Sequence, residues 1–277
     1  STYAYFLAVL ILASLAFFAA AFRSRRIFYR LRYKAPFYAF VFLLLAGYDI
    51  LTLKRGTLML PYFPWVDEIL NAAWQDRAYC TLKSLFLIFS GYFVGAGLGL
   101  VTGVACGYNR GVDYWVAPFM KLLGAIPSPT WIPVVMVVAS SLFAGSVFII
   151  ALGVWYSLTI ATMTGIRNID RSFYEAARTL GARPRHLVLN VALPFALPNI
   201  LQGLTQGMSS ACMALIVAEM VGVESGLGWY VSWQKSWAQY GKMYAAIIVL
   251  CIVFVFVNWG LNRIKRWVLR WQEGVVP

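Results

Sequence analysis

Asp170-Arg171-Ser172-Phe173-Tyr174-Glu175-Ala176-Ala177-Arg178-Thr179-Leu180-Gly181-Ala182-Arg183-Pro184 is a polar, basic island between two long apolar runs. Ser172 and Glu175 stand at the spacing of a capping box, which predicts a helix start at Ser172. Gly181 supplies a left-handed stop about two turns later. Pro184 suits the first turn of a second short helix, running through His186 to about Leu193. The pair then forms a helix-turn-helix outside the bilayer. Ala176 and Ala177 give it a smooth patch that another protein's backbone can approach closely. An ordinary cytoplasmic loop of a membrane protein is the competing reading of the same spacing.

The chain has 277 residues, 61% of them hydrophobic and 12% charged. A soluble domain of this length does not read that way, whereas an integral membrane protein does. The formal net charge of +13 sits in short loops between apolar runs. It therefore reports topology and contact with membrane lipid, and points to no nucleic-acid partner. Cys80, Cys106, Cys212 and Cys251 lie in or beside apolar segments without CxxC spacing. They read as small buried residues, neither metal ligands nor a disulfide framework. No G-x-x-x-x-G-K-[ST] loop is present, so any ATP cradle has to come from another chain. The one histidine, His186, reads as a surface or docking residue. No carboxylate pair or nucleophile–base spacing supports an enzyme, and no cofactor is expected in this chain. The chain opens at Ser1 without Met, which leaves room for residues ahead of it.

Apolar runs at 3–22, 36–53, 79–107, 115–141, 142–166, 195–221 and 243–262 predict an all-α polytopic membrane protein of about seven transmembrane helices. Sixteen Lys and Arg residues fall in the segments 23–34, 108–113, 167–185 and 263–270, and five fall at Lys54, Arg55, Arg77, Lys235 and Lys242. That asymmetry places the first group in the cytoplasm, with the N-terminus outside and the C-terminus inside. Trp65 and Trp74 suit an external membrane-surface helix. Trp229, Tyr230, Trp233, Trp237 and Tyr240 make the last external stretch either a membrane belt or the rim beneath a docked protein.

Gly91, Gly95, Gly99, Gly103 and Gly107 repeat every four residues, a small-residue stripe that lets a neighbouring helix approach at backbone distance. Pro127, Pro129 and Pro133 break the run 115–141 and free backbone groups that have to face protein or a water-filled cavity. Ser128, Thr130 and Trp131 are therefore candidates for a solute pathway, with a purely structural kink as the alternative. On the run 195–221, Gln202, Thr205, Gln206, Ser209 and Met213 share one stripe. Gly203, Gly207, Ala211, Ala214 and Ala218 share another, roughly 120–140° away at 100° per residue. The first stripe reads as pore lining or as interhelical hydrogen bonding; the second reads as a packing face. Glu219, near the outer end, reads as a residue hydrogen-bonded or ion-paired at the interface.

Glu175-Ala176-Ala177, Gly181 and Leu193-Pro194 resemble the signature loop of permease subunits of binding-protein-dependent type I ABC importers. Ile126-Pro127, Trp131-Ile132-Pro133, Gly165-Ile166-Arg167, Ala218-Glu219-Met220 and Gly226-Leu227-Gly228 look like the nitrate, sulfonate, taurine and bicarbonate branch. The resemblance covers roughly residues 57–265. It implies an accessory N-terminal helix and basic loop over 1–35 and a permease domain of six core helices over 36–277, with the coupling loop at 167–193. It implies a bacterial inner-membrane subunit that forms a dimer of two copies of the chain. Two ATP-binding subunits would hold ATP and Mg, and an extracytoplasmic binding protein would deliver a small solute, for which the branch suggests a small anion such as nitrate, a sulfonate, taurine or bicarbonate. Ser172, Tyr174, Glu175, Ala176, Ala177, Leu180, Gly181, Arg183 and Pro184 would couple to the ATPase. The alternative is a self-contained carrier or channel for a small polar solute, against which stands the lack of intramembrane charge pairs.

Overall fold

The computed structural model describes residues 25–54, 61–73 and 78–270, and every regular element among them is helical. The apolar run 3–22 and Trp74 lie outside the described residues. In chain order the helices are α1 (Arg25–Asp49), α2 (Val66–Ala73), α3 (Ala78–Tyr108), α4 (Arg110–Ala125), α5 (Ile132–Val138), α6 (Leu142–Arg167), α7 (Arg171–Thr179), α8 (Pro184–Val221), α9 (Leu227–Ser236) and α10 (Tyr240–Val268). Among the described residues, five stretches are long and apolar enough to cross a membrane: Ala35–Thr52, α3, α6, α8 and α10. A sixth is broken, with Arg110–Gly124 and Ser128–Val138 meeting at 87°.

The chain divides into two compact units, Ser1–Asp76 with Val231–Val249, and Arg77–Tyr230 with Leu250–Pro277. In the first, the Tyr48 hydroxyl donates to the Pro64 carbonyl at 2.8 Å. Ile69 and Ala72 of α2 pack on Ala245.

The second unit is built on α3, α6 and α8. The five α3 glycines meet an i+4 ridge of α6: Gly91 faces Ile150, Gly95 faces Val154, Gly99 faces Leu158, Gly103 faces Thr162 and Gly107 faces Ile166. The repeat of four on both helices brings their backbones together, which is the packing expected of that stripe. On α8 the second predicted stripe is likewise buried, with Gly203 against Ala161 and Leu158 and Gly207 against Val154. Leu87, Ile88, Tyr92, Ile149, Ile150, Met208 and Leu215 complete the core. In lipid, apolar burial alone does not join helices, so this close packing and a few polar contacts hold the trio. The Tyr92 hydroxyl donates to the Leu204 carbonyl at 3.1 Å, and Trp155 Nε1 donates to Thr102 Oγ1 at 3.0 Å.

Two boundaries differ from the sequence reading. Residues 108–113 are no loop: α3 ends at Tyr108 and α4 starts at Arg110, with Asn109 accepting from the Gly111 amide at 2.8 Å. The second short helix is no separate element either. It runs through a wide π turn at Leu187–Ala192 straight into Leu193, so α8 begins at Pro184 and not near 195. Pro194 lacks the amide that would bond to Asn190, and the wider turn accommodates its ring.

Candidate functional site: an exposed lever and a polar helix face

The lever is α7. Its N-cap is Asp170, whose side chain accepts from the Ser172 amide at 2.9 Å. This corrects the capping-box expectation: Ser172 is inside the helix and Glu175 is exposed, with no hydrogen bond among the described residues. Asp is as good a cap as Ser and stands where the chain leaves its extended approach, so it takes the position first. The bond from the Ser172 amide holds the Asp170 carboxyl below its ordinary value. The C-terminus behaves as expected. Gly181 has φ +81°, its amide donates to the Arg178 carbonyl at 2.9 Å, and the Ala182 amide donates to the Ala177 carbonyl at 3.1 Å. Those two bonds are a Schellman turn, which needs a residue free to be left-handed.

No residue of α7 is buried. Ser172, Glu175, Ala176, Gly181, Arg183, Pro184 and His186 are exposed, and Ala177 is half-buried. Leu180 is 89% exposed and Phe173 53%. Tyr174 turns the other way and packs on the cluster of Leu158, Ile166, Ile169, Ala192 and Ala196. Burial pushes its phenol up, with a smaller contribution from Tyr108. Phe173 lies against Phe195, the rings tilted at 48° with centroids 5.6 Å apart. Tyr174 and Phe173 thus root the lever, leaving Leu180 and Ala176 exposed. At its other end Arg167 pairs with Asp113 at 2.7 Å and donates to the Cys106 carbonyl at 3.2 Å. The end of α6 is thereby tied to α3 and α4.

The polar stripe of α8 faces away from the core. Gln202, Gln206, Ser209 and Met213 are exposed and Thr205 is half-buried. Thr205 and Ser209 donate back to carbonyls one turn earlier, at 3.0 and 3.4 Å. The broken segment lies against α6 and α8. Ser128 Oγ and Trp131 Nε1 are buried without a hydrogen-bond partner among the described residues, while Thr130 is exposed. Ser128, Gly153, Tyr156, Ser157 and Ser210 border a cavity of about 110 Å³. The fold therefore brings Ser128 to α8 through Ser210, which lies beside the polar stripe and which the sequence reading passed over.

The stripe itself, Gln202, Thr205, Gln206, Ser209 and Met213, carries no Lys or Arg. The structure brings one from α10: Lys265 donates to Gln202 Oε1. No local pattern could show this, because the two residues are 63 positions apart. Glu219 is buried, and it accepts from Ser84 Oγ at 2.6 Å and from the Gly228 amide at 2.7 Å. Ser84 Oγ in turn accepts from the Leu227 amide at 2.8 Å. The expected hydrogen bonding is thus present, inside the protein and not at an interface.

A broken span, a protruding helical lever and a helix with one polar and one close-packed face define a multi-pass membrane protein of the transport class. The chain belongs to the family of binding-protein-dependent transport system inner membrane components, whose pattern matches residues 95–271. It is 30% identical over 111 residues to a Bacillus subtilis protein named for aliphatic sulfonates transport, a match covering 40% of each chain. It is 28% identical over 141 residues to the bicarbonate transport system permease protein of Synechococcus elongatus, covering 51% of this chain and 50% of that one. The chain spans about half the length, or less, of these curated relatives. Among solved structures it is similar to the MetNI methionine ABC transporter in inward-facing conformations. There the TM-score is 0.57 and the identity 22%, covering 73% of this chain and 97% of that one. It is also similar to a bacterial ABC transporter that imports alginate, with TM-score 0.61 and 15% identity over 88% and 99% of the two chains. At such identities these likenesses show the fold.

Proposed function

We propose that this chain is the permease subunit of an ATP-driven importer and forms the route for a small anion. Two copies would enclose the route, two ATP-binding subunits would grip the levers, and an extracytoplasmic binding protein would deliver the solute. The lever and the C-terminus would lie in the cytoplasm and the N-terminus outside. Residues 1–35 would be accessory to a permease domain over 36–277.

One observation carries the reading: Leu180, 89% exposed, caps the C-terminal tip of α7 one turn from the small, exposed Ala176, on a mostly polar, basic element. A large exposed apolar side chain on a rigid tip outside the bilayer fits a groove on a partner. Glu175 then serves the outer, contacting face and not the cap. ATP and Mg would be held by the partner, and this chain's own residues transmit movement. Ser128, Thr130, Trp131 and the α8 stripe would line the route. Their weak polar contacts suit a solute that passes through, with affinity residing in the binding protein. Lys265 at Gln202 and the relatives' printed substrates, sulfonates and bicarbonate, support an anion. One neighbouring structure, of the alginate transporter, includes a periplasmic protein, which supports the third partner.

The test is co-purification with the cognate ATP-binding subunit. Leu180→Glu leaves the fold intact, because Leu180 touches little, and should abolish co-purification. Retained binding by this variant would refute the docking role.

A further inference from the structure

Glu219 is 1% exposed, and no Lys, Arg or His pairs with it among the described residues. A buried carboxylate costs several kcal/mol unless its oxygens are satisfied, so its retention calls for a reason beyond packing. Its two oxygens take the Ser84 hydroxyl and the Gly228 amide, and Ser84 takes the Leu227 amide. Those two amides open α9, so a carboxylate on α8 and a hydroxyl on α3 together cap the first turn of a third helix. The turn is shaped to reach them. Gly226 has φ +122°, and a Cβ there would collide with the Glu219 carboxylate; a Cβ on Gly228 would stand 2.9 Å from Glu219 Cβ.

The same helix that carries Glu219 begins at the lever. From Pro184 to Val221, α8 is continuous, on the order of 55 Å at 1.5 Å per residue. Its root is fixed by Leu187 and Ala192, both buried. Glu219 is thus the point where the far end of the lever's own helix grips the segment opening α9.

We propose that the Glu219–Ser84 pair is a positioning joint that couples the lever to the Gly226–Tyr230 segment on the opposite side of the membrane. A displacement of α7 travels along α8 as a rigid body and reaches the surface where the binding protein arrives. The signal runs equally in the other direction, from the docked binding protein to the ATPase. This rests on the permease reading above.

The experiment uses the full complex of permease, ATP-binding subunits and binding protein in lipid nanodiscs. ATP hydrolysis is measured with and without solute-loaded binding protein for wild type, Glu219→Gln and Ser84→Ala. Both variants should assemble and keep basal hydrolysis, while stimulation by the binding protein falls about tenfold in Glu219→Gln, the worth of one hydrogen bond to a charged group. Ser84→Ala, which leaves the Gly228 bond in place, should lose less. A mere structural staple would lower basal and stimulated rates in proportion, and that result overturns the proposal, as does unchanged stimulation. If Glu219→Gln fails to assemble, Ser84→Ala alone decides between the same outcomes. A wild-type chain that recruits no ATPase would instead overturn the permease reading, and the joint with it.

Discussion

The contact between α3 and α6 at Gly95 sets up a sharp experiment. A Cβ on Gly95 would run into the Ala151 carbonyl oxygen, with Val154 Cβ at 2.8 Å and Ala151 Cα at 2.9 Å. Carbon atoms settle at about 3.5–4.0 Å, so α3 has to retreat by roughly 0.6 Å or more. Two of the three obstructing atoms are backbone and cannot rotate aside. Overpacking of this kind costs about 1–3 kcal/mol. Gly97, half a turn away, has nothing within 4 Å of its would-be Cβ. Gly→Ala in a helix interior gains up to about 1 kcal/mol of propensity, and does so equally at both sites. The difference between Gly95→Ala and Gly97→Ala therefore isolates the packing cost at about 1–3 kcal/mol. SDS titration of the full chain in bicelles, followed by tryptophan fluorescence, reads it as a lower unfolding midpoint for Gly95→Ala alone. Equal midpoints would refute the argument that backbone proximity holds α3 on α6.

In a background lacking the native cysteines, Gln206→Cys should react with a membrane-impermeant thiol reagent, whereas Gly203→Cys, on the packed face of the same helix, should not. Equal protection of both would mean that the polar stripe meets no water. Lys265→Gln should slow anion uptake in the assembled transporter, and Lys265→Glu should slow it further; uptake unaffected by the sign of this charge would remove Lys265 from the route. The Asp170 carboxyl is held below its ordinary value by the Ser172 amide, so its contribution to α7 is complete above the unfolded carboxyl value and fades as pH falls through the lowered folded one. Protection of the Ser172 amide, its exchange rate relative to the intrinsic rate at the same pH, should fall on that acid side in wild type, while in Asp170→Asn it should show no such dependence.

Much of the architecture was legible in the residues alone. The period-four glycines of α3 need only helical geometry to fall on one face, and they do pack on a neighbour. The apolar lengths set the spans because the bilayer core sets a length. Gly181 declared its own turn, since few other residues take a positive φ without strain. Local competition was harder to read: Asp170 outranked the Ser172–Glu175 pair because caps are decided by where the preceding chain becomes extended. The proline-rich run announced a break but not its 87° angle, which depends on how Ser128–Trp131 rests against α6 and α8.

The sequence by itself determined which segments are apolar, where helices stop, and which faces are small or polar, because those follow from side-chain chemistry and a fixed helical period. Only the tertiary structure decided that Lys265 reaches Gln202, that Ser210 shares a cavity with Ser128, and that Glu219 holds Ser84 and the turn at Gly228. Such partners lie on different helices, and which helices become neighbours is settled by packing, to which each contributes only one face.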